Sequence, residues 1–290
     1  MSISTADIKQ LRESTGAGVL DCKKALQETS GDIDQAIEFL RKKGLAAASK
    51  KTSREANEGL VSGQLSDDGQ VGVLVEVNCE TDFVARTEDF QNFVASLVKQ
   101  VIAQPHITNA ETLLAAPYID DSSKKVSEKL TEMIAKLGEN IILKNVARFD
   151  LEGNGLIDSY IHMGGRIGVL IEADGPSSDK KFADLIHDLA LQIAAASPRY
   201  VNESNVPAEV IEAEKSIYRA QLAEDKKPDD IKERIIEGKL KKWFSEVVLP
   251  NQEFVKDSSL TIAKLIKDTS KEIGTDITVR RFARFELGIN

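Results

Sequence analysis

The sequence reads GLVSGQLSDDGQVGVLVEVN from Gly59 to Asn78 and, 96 residues later, GLIDSYIHMGGRIGVLIEAD from Gly155 to Asp174. The two stretches align without a gap, and seven positions are identical, among them the glycines Gly72 and Gly168. Each stretch consists of two β-rich runs around a glycine-bearing turn, which is the pattern of a β-hairpin. The chain therefore contains an internal duplication, which predicts two structurally related halves.

The similarity continues beyond the hairpins. Apolar residues recur at helical spacing from Phe90 to Val101 and again from Phe182 to Ile193. Each half then ends on a strand-like run, NIILKNVARFDL at 140–151 and DITVRRFARFEL at 276–287. These closing runs are 136 residues apart, so the offset has grown by 40. The second half is therefore predicted to hold an insertion of about 40 residues, between about 205 and 253.

Two helical segments fill the predicted insertion. PAEVIEAEKSIYRAQLAE and DDIKERIIEGKLKKWFSEVV favour helix, and Pro228 forces a break between them. Narrow apolar seams predict that they pair as an antiparallel coiled-coil hairpin at about 206–250. The seam residues are Val210, Ala213, Ile217, Ala220, Ile231, Ile235 and Gly238. The outer end of such a hairpin would be exposed and available for contact with another chain.

The first 43 residues read as three short helices. Ser4 or Thr5 is the predicted cap of the first helix, and the second is expected from about Val19 to Glu28. The third is expected to end at Gly44. The polar stretch that follows is either an exposed helix or a linker.

Together these patterns predict an α+β chain with three parts. The first, residues 1–57, is a three-helix module with a linker. The second, residues 58–152, is a core subdomain of hairpin, helices and strand. The third, residues 153–290, repeats that subdomain and carries the helical hairpin.

Composition and motifs narrow the classes of function. A formal net charge of −9 argues against a chain whose main role is to wrap nucleic acid. No apolar run approaches the ~20 residues of a membrane span, and the N-terminus lacks the features of a signal peptide. Cys22 and Cys79 are far apart in sequence, so we expect reduced thiols in an unprocessed, cytoplasmic protein.

No catalytic or metal-binding constellation is visible in the sequence. Phosphate-loop and nucleophile motifs are absent, and GAGVLD at 16–21 lies between two predicted helices. His106, His162 and His187 are not at metal-ligand spacing. We therefore predict neither an enzyme nor a cofactor. The stretch HMGGRIG at 162–168 either meets the needs of a tight hairpin turn or forms an exposed tip at which His162 and Arg166 contact a partner.

An aromatic residue stands in the polar turn after the first hairpin. In the gapless alignment Thr81, Asp82, Phe83 and Val84 fall opposite SSDK at 177–180, which has no apolar residue. A Phe83 required by the common fold should have an apolar counterpart there. Alternatively, Phe83 extends the buried stripe of the next helix or staples its start. Asp82 is the predicted cap of that helix, which would hold Phe83 on a rigid corner as an exposed anchor.

Three motifs, in this order, resemble the elongation factor Ts family: TGAGVLDCKKAL at 15–26, EVNCETDFVAR at 76–86 and HMGGRIGVL at 162–170. Members of this family are bacterial and organellar guanine-nucleotide exchange factors for the GTPase elongation factor Tu. The resemblance extends over essentially the whole chain. It implies a ubiquitin-associated-like helical bundle, a core of two halves and a coiled-coil protrusion.

The resemblance also implies roles for particular residues. Thr81, Asp82, Phe83 and Val84 match the segment that intrudes beside the magnesium site of elongation factor Tu. Val19 and Leu20 are similar to the part that docks on its nucleotide-binding domain. His162 matches a core histidine that meets another part of the partner.

The expected function is that of a translation elongation factor. It would bind elongation factor Tu–GDP and promote GDP release by disturbing the magnesium and phosphate-loop site, so that GTP reloads. The alternative is a non-catalytic adaptor that uses the bundle and the coiled-coil hairpin. Neither a nucleic acid nor a membrane is an expected partner, and the hairpin could form a homodimer or a 2:2 complex.

Overall fold

The structure, a computed structural model, describes residues 3–15, 17–225 and 227–289. Three helices open the chain: α1 (Thr5–Thr15), α2 (Val19–Glu28) and α3 (Ile33–Ser49). They enclose an apolar cluster of their own, in which Leu11, Cys22, Leu26 and Ala36 are fully buried. Gly16 and Lys226, which belong to the predicted breaks between helices, lie outside the described residues.

The first half of the core follows. Its elements are β1 (Glu58–Leu65), β2 (Val71–Cys79), α4 (Asp82–Ala85), α5 (Glu88–Ala103), α6 (Ala110–Ala115), β3 (Pro117–Tyr118), β4 (Asp121–Lys125), α7 (Val126–Leu137) and β5 (Ile141–Asp150). The three long strands form an antiparallel sheet in the order β1-β2-β5. The alternate residues of β2 that face the helices and the apolar stripe of α5 form the first core cluster.

The second half repeats this order and includes the inserted helices. Its elements are β6 (Gly155–His162), β7 (Ile167–Asp174), α8 (Lys180–Ala196), α9 (Ala208–Gln221), α10 (Asp229–Val247), β8 (Glu253–Phe254), β9 (Asp257–Thr261), α11 (Ile262–Ile273) and β10 (Thr278–Glu286). The second antiparallel sheet has the order β10-β7-β6, and α8 packs on it. The prediction of a mixed helix-and-sheet chain of the α+β class is confirmed.

The two sheets pack against each other through the duplicated hairpins. Between them lies an apolar cluster that includes Val61, Leu74 and Leu170. A Cβ on Gly72 would lie 2.5 Å from Ile157, and one on Gly168 would lie 2.5 Å from Val61. The glycines shared by both repeats therefore permit the close approach of the two sheets.

Buried glutamines show how the helices of the two halves correspond. Gln100 of α5 donates from Nε2 to the oxygen of Pro117 and accepts from the N–H of Ile119. Gln192 of α8 makes the same two bonds to Glu253 and Val255. The helices therefore match at an offset of 92, whereas the hairpins match at 96.

This change of offset corrects the gapless alignment of the two turns. The helix cap Thr87 is equivalent to the cap Asp179, so Thr81–Val84 do not lie opposite Ser177–Lys180. The first half instead contains four extra residues between β2 and α5, where the four-residue helix α4 is found. Since the offset later reaches 136, the net insertion in the second half is 44 residues rather than about 40.

The N-terminal helices agree with the predicted limits except at one end. Ser4 caps α1, because its Oγ accepts the N–H of Asp7 at 3.1 Å. The predicted end of α3 at Gly44 is wrong, since the helix continues to Ser49. A Cβ on Gly44 would lie 3.1 Å from the Cβ of Ala135 in α7. Gly44 thus allows α3 to pack closely on the core and does not terminate the helix.

The seam of the inserted helices differs from the predicted one. Ala213, Ile217 and Ala220 are exposed, and a Cβ on Gly238 would meet open space. Apolar residues that are at least half-buried along the hairpin are Val210, Ile211, Tyr218, Leu222, Ile231, Ile235 and Ile236, and Leu240, Trp243, Phe244 and Val247 are so at its base. The physical reason lies at the base of the hairpin, where a cluster around Trp243 holds both Val210 and Ile211 and so fixes the rotation of α9.

Candidate partner-binding corner

The corner between β2 and α5, residues 80–87, is built from two successive helix caps. Thr81 caps α4, because its Oγ1 accepts the N–H of Val84 at 3.4 Å. Thr87 caps α5 in the same way, accepting the N–H of Phe90 at 3.3 Å. The prediction that Asp82 caps the helix is therefore wrong. Asp82 is the first residue of α4, and its carboxylate lies 3.0 Å from Arg86.

Phe83 points out of this corner into solvent, and its neighbours point inward. Phe83 is 80% exposed, whereas Phe90 in the next helix is fully buried. Val84 packs on the first core cluster, and Ala85 belongs to it. The interpretation in which Phe83 extends the buried stripe is thus contradicted. A large aromatic ring on a packed backbone is the kind of residue that anchors protein interfaces.

The carboxylate of Glu139 holds the start of the corner. One oxygen accepts the N–H groups of Glu80 at 3.1 Å and Thr81 at 3.0 Å. The other accepts the hydroxyl of Thr81 at 2.6 Å. Glu139 lies just after α7, and Gly138, the C-cap of that helix, is in the left-handed conformation with a φ of 81°. Hydrogen bonds to an ionised acceptor are stronger than neutral ones, so this carboxylate ties the corner firmly to the end of α7.

A second carboxylate, that of Glu80, links the corner to the loop after α7 in the opposite direction. Glu80 accepts the N–H of Asn140 at 2.6 Å and lies 3.4 Å from the guanidinium of Arg54. The side-chain amide of Asn140 in turn donates to the backbone oxygen of Arg54 at 2.8 Å. The corner, the loop after α7 and the chain segment before β1 are therefore joined. The sequence contains no local signal for this network, because its partners lie far apart in the chain.

Cys79 lies beneath the corner as a buried free thiol. Burial raises its pKa to about 12, and the nearby charge of Glu139 acts in the same direction. The thiol is therefore protonated at neutral pH and donates to the backbone oxygen of Thr81 at 3.1 Å. Through this hydrogen bond the buried thiol helps to hold the backbone at the start of the corner.

Val19 and Leu20 form a separate exposed apolar surface at the start of α2. Val19 is 51% exposed and Leu20 is 82% exposed. The opposite side of the helix carries Cys22, Ala25 and Leu26, all fully buried. The helix therefore has apolar residues on its solvent side as well as on its core side, and a solvated helix face does not require them.

His162 ends β6 at the tip of the second hairpin and is half-buried. Its Nδ1 lies 2.8 Å from the hydroxyl of Tyr160. The turn beyond it has positive φ at Met163, Gly164 and Gly165, which explains the two glycines. Gly165 accepts the N–H of Val61 at 2.7 Å, so this tip rests on β1 of the first half.

The structure thus brings Thr81, Asp82, Phe83 and Val84 together on one corner, and it places Val19 and Leu20 on α2 and His162 on the second hairpin. Among the described residues, no group of three or more His, Cys, Asp and Glu side chains is placed to hold a metal ion. Within the same part of the chain, no helix is long and apolar enough to cross a membrane.

Comparisons with known proteins agree on one family. The family model described as elongation factor TS matches residues 80–289. The elongation factor Ts of Trichlorobacter lovleyi is 47% identical over 292 residues, covering 99% of this chain and 93% of the relative. That of Clostridium perfringens is 48% identical over 286 residues, with 99% and 93% covered. That of Clostridium novyi is 47% identical over 281 residues, with 97% and 91% covered.

Proposed function

We propose that this chain acts on elongation factor Tu. The premise is that the chain belongs to the elongation factor Ts family and is a translation elongation factor. The chain binds the GDP form of that GTPase and promotes release of GDP, after which GTP reloads. Members of this family are nucleotide exchange factors and do not catalyse a chemical reaction, and we propose the same of this chain.

Exchange of this kind requires differential binding and no bond chemistry. A factor that binds the nucleotide-free GTPase more tightly than the GDP form must weaken GDP binding by the same ratio. GDP in such a GTPase is held by the phosphate-loop amides and by Mg²⁺. The factor therefore needs a rigid element that fits only the arrangement in which this site is disturbed.

The corner at residues 80–87 is our candidate for that element. Phe83, which is 80% exposed, would insert between helices of elongation factor Tu and shift the groups that order the magnesium ligands. Asp82 would compete for hydrogen-bond donors near the phosphate loop. Thr81 and Val84 would act from behind, since one caps α4 and the other packs on the core.

The remaining exposed residues would dock the partner. Burying a Leu side chain contributes about 1.5–3 kcal/mol, so Leu20 with Val19 could supply much of the affinity for the nucleotide-binding domain. His162, on the tip of the second hairpin, would contact another part of the same partner. These contacts would be common to both nucleotide states and would set affinity more than selectivity.

The three-part division and the role of the inserted hairpin are also proposals. We retain 1–57, 58–152 and 153–290 as functional units, with the hairpin at about 206–250 exposed for contact with another chain. The exposed Ile217 on α9 supports such a contact. Light scattering of the free protein and of its complex, with and without residues 206–250, would show whether the hairpin forms a homodimer or a 2:2 complex.

The observation that carries the proposal is the exposed Phe83 on an extra turn of helix, which the described corner between β7 and α8 lacks. The test measures release of fluorescent GDP from elongation factor Tu at saturating factor. The wild-type chain should accelerate release. Phe83→Ala should reduce the accelerated rate by roughly 30-fold, as expected for a hot-spot residue worth about 2 kcal/mol.

Val255→Ala is the matched control. Val255 is an apolar residue, 50% exposed, in the turn between β8 and β9 of the second half. Its truncation should leave the release rate unchanged. A wild-type chain that binds another partner but does not accelerate GDP release would contradict the proposal and favour the adaptor function.

A further inference from the structure

We propose that Glu139 is a positioning residue for exchange, because its carboxylate fixes the direction in which Phe83 points. Glu139, Glu80, Asn140 and Thr81 form a set of reciprocal contacts that we name the carboxylate clasp. The inference rests on the proposed function and adds to it Glu139 and Asn140, which lie outside the motif at 76–86.

The first argument is that α4 cannot hold its own orientation. It contains only four residues. A single helical turn is unstable in isolation, because the entropy lost in fixing its backbone dihedral angles exceeds the free energy gained from its one hydrogen bond. Its direction must therefore come from contacts outside the helix. Val84 and Ala85 supply apolar contacts on the core side. The clasp supplies the polar contacts at the point where the chain enters the helix.

The second argument is the geometry of the clasp. The Glu139 carboxylate accepts three hydrogen bonds, from two successive backbone N–H groups and from the Thr81 hydroxyl, at 2.6–3.1 Å. The Thr81 hydroxyl oxygen is also the cap acceptor for the N–H of Val84. Glu139 therefore fixes both the backbone before α4 and the side chain that caps it. Phe83 lies two residues beyond this point, on the opposite, solvent side.

The third argument comes from the other half of the molecule. At the hairpin offset of 96, Glu80 corresponds to Pro176. At the closing-strand offset of 136, Glu139 and Asn140 correspond to Thr275 and Asp276. Thus, in the described residues, neither clasp carboxylate has a counterpart in the second half. The clasp occurs where the extra helix occurs and is not required by the common fold.

The consequence concerns preorganisation. A ring that points in one direction before binding loses less conformational freedom when it enters the partner. Glu139→Gln keeps the shape of the side chain but replaces the charged acceptor with an amide, one end of which is a donor facing donors. The corner should then sample several directions, and fewer encounters would place Phe83 correctly.

The experiment measures GDP release by stopped flow over a range of factor concentrations. Glu139→Gln should lower the plateau rate about tenfold, equivalent to about 1.4 kcal/mol, and change the half-saturating concentration by less than about twofold. The docking residues on α2 are untouched, which is why the half-saturating concentration should hold. Glu272→Gln is the control, since it removes an exposed carboxylate near the end of α11, the equivalent of α7.

Two further measurements separate positioning from a general loss of structure. In a Phe83→Ala background, Glu139→Gln should have no additional effect on the plateau rate. Amide hydrogen exchange of the free protein should become at least tenfold faster at Glu80 and Thr81, and should not change in β7. If Glu139→Gln does not fold, Glu80→Gln removes the reciprocal carboxylate, and it should produce the same pattern with a smaller loss.

The outcomes distinguish this inference from the proposed function. A wild-type chain that fails to accelerate release overturns the proposed function and, with it, the exchange role of the clasp. Normal wild-type activity together with an unchanged plateau in Glu139→Gln overturns the inference alone. Equal losses with and without the Phe83 ring, or unchanged hydrogen exchange at the corner, also overturn it.

Discussion

The corner after β2 and the corner after β7 stand at equivalent places in the two halves, but only the first contains an extra helical turn. β7 leads to α8 through a polar turn, and Asp179 at the end of this turn caps α8. β2 leads to α5 through α4, which presents Phe83 to solvent. Features that both halves share are needed to build the core. Features that only one half contains are free to serve a partner.

The shared features are numerous and specific. Besides the paired glutamines, both closing strands have a bulge at the same place, opposite Glu76 in one half and Glu172 in the other. Both of these buried carboxylates accept a side-chain hydrogen bond across the sheet, from Asn145 at 2.7 Å and from Arg281 at 2.6 Å. Polar details as well as apolar packing are thus duplicated, and for that reason it is meaningful that the described residues of the second half form no clasp.

The largest predicted effect tests whether the shared positions are equivalent. Gln100→Ala and Gln192→Ala each remove a buried side-chain amide and leave one backbone N–H and one backbone C=O without these partners, at a cost of about 1–3 kcal/mol for each group that stays shielded from water. Urea denaturation should show losses of similar size for the two variants, with a further loss in Gln192→Ala because Gln192 also donates to Gln252 at 3.1 Å. Gln91→Ala, an exposed position in α5, is the control. If only one of the two variants lost unfolding free energy, the two glutamines would not be equivalent and the comparison of the halves would fail.

A smaller effect tests the division between docking and displacement. Leu20→Ala should raise the half-saturating concentration of factor in GDP release about tenfold, as expected for 1.4 kcal/mol of binding energy, and leave the plateau rate unchanged. Because Leu20 is 82% exposed, the free energy of unfolding should change by less than about 0.5 kcal/mol. A reduced plateau at unchanged half-saturation would assign Leu20 to displacement and contradict the division.

The smallest effect concerns the thiol beneath the corner. The folded-state pKa of Cys79 is raised from about 9 to about 12, so between these values the unfolded chain loses a proton that the folded chain keeps. Stability must then fall as pH rises. Relative to Cys79→Ala, the wild-type chain should lose about 1 kcal/mol of unfolding free energy between pH 8 and 10. Parallel pH profiles of the two proteins in urea denaturation would contradict this.

Much of the core could be predicted because its signals are local and periodic. The hairpins, the apolar stripes of α5 and α8 and the limits of α2 follow from spacing alone. The contrast between Phe83 and the polar turn of the second half was also visible in the sequence. The gapless alignment treats the two turns as equivalent positions that carry different residues. This interpretation was wrong, because the two turns differ in length.

Contacts between distant segments account for what sequence patterns did not predict. Glu139 binds Thr81 across 58 positions of sequence, and nothing near either residue indicates the pair. In the sequence, Gly44 is typical of a helix end. In the structure it lies against Ala135, so the glycine allows α3 and α7 to pack closely. Three of the four predicted seam residues of α9, Ala213, Ile217 and Ala220, are exposed, because packing at the base of the hairpin fixes the rotation of the helix.

The central claim is that the first corner supplies selectivity between nucleotide states and that the rest of the surface supplies affinity. Titration calorimetry of the wild-type chain and of Phe83→Ala against nucleotide-free elongation factor Tu and against its GDP form tests this directly. The ratio of the two dissociation constants should shrink by roughly 30-fold in Phe83→Ala, mostly through weaker binding to the nucleotide-free state. An equal loss of affinity for both states, which leaves the ratio unchanged, would make Phe83 an ordinary docking contact and contradict the account.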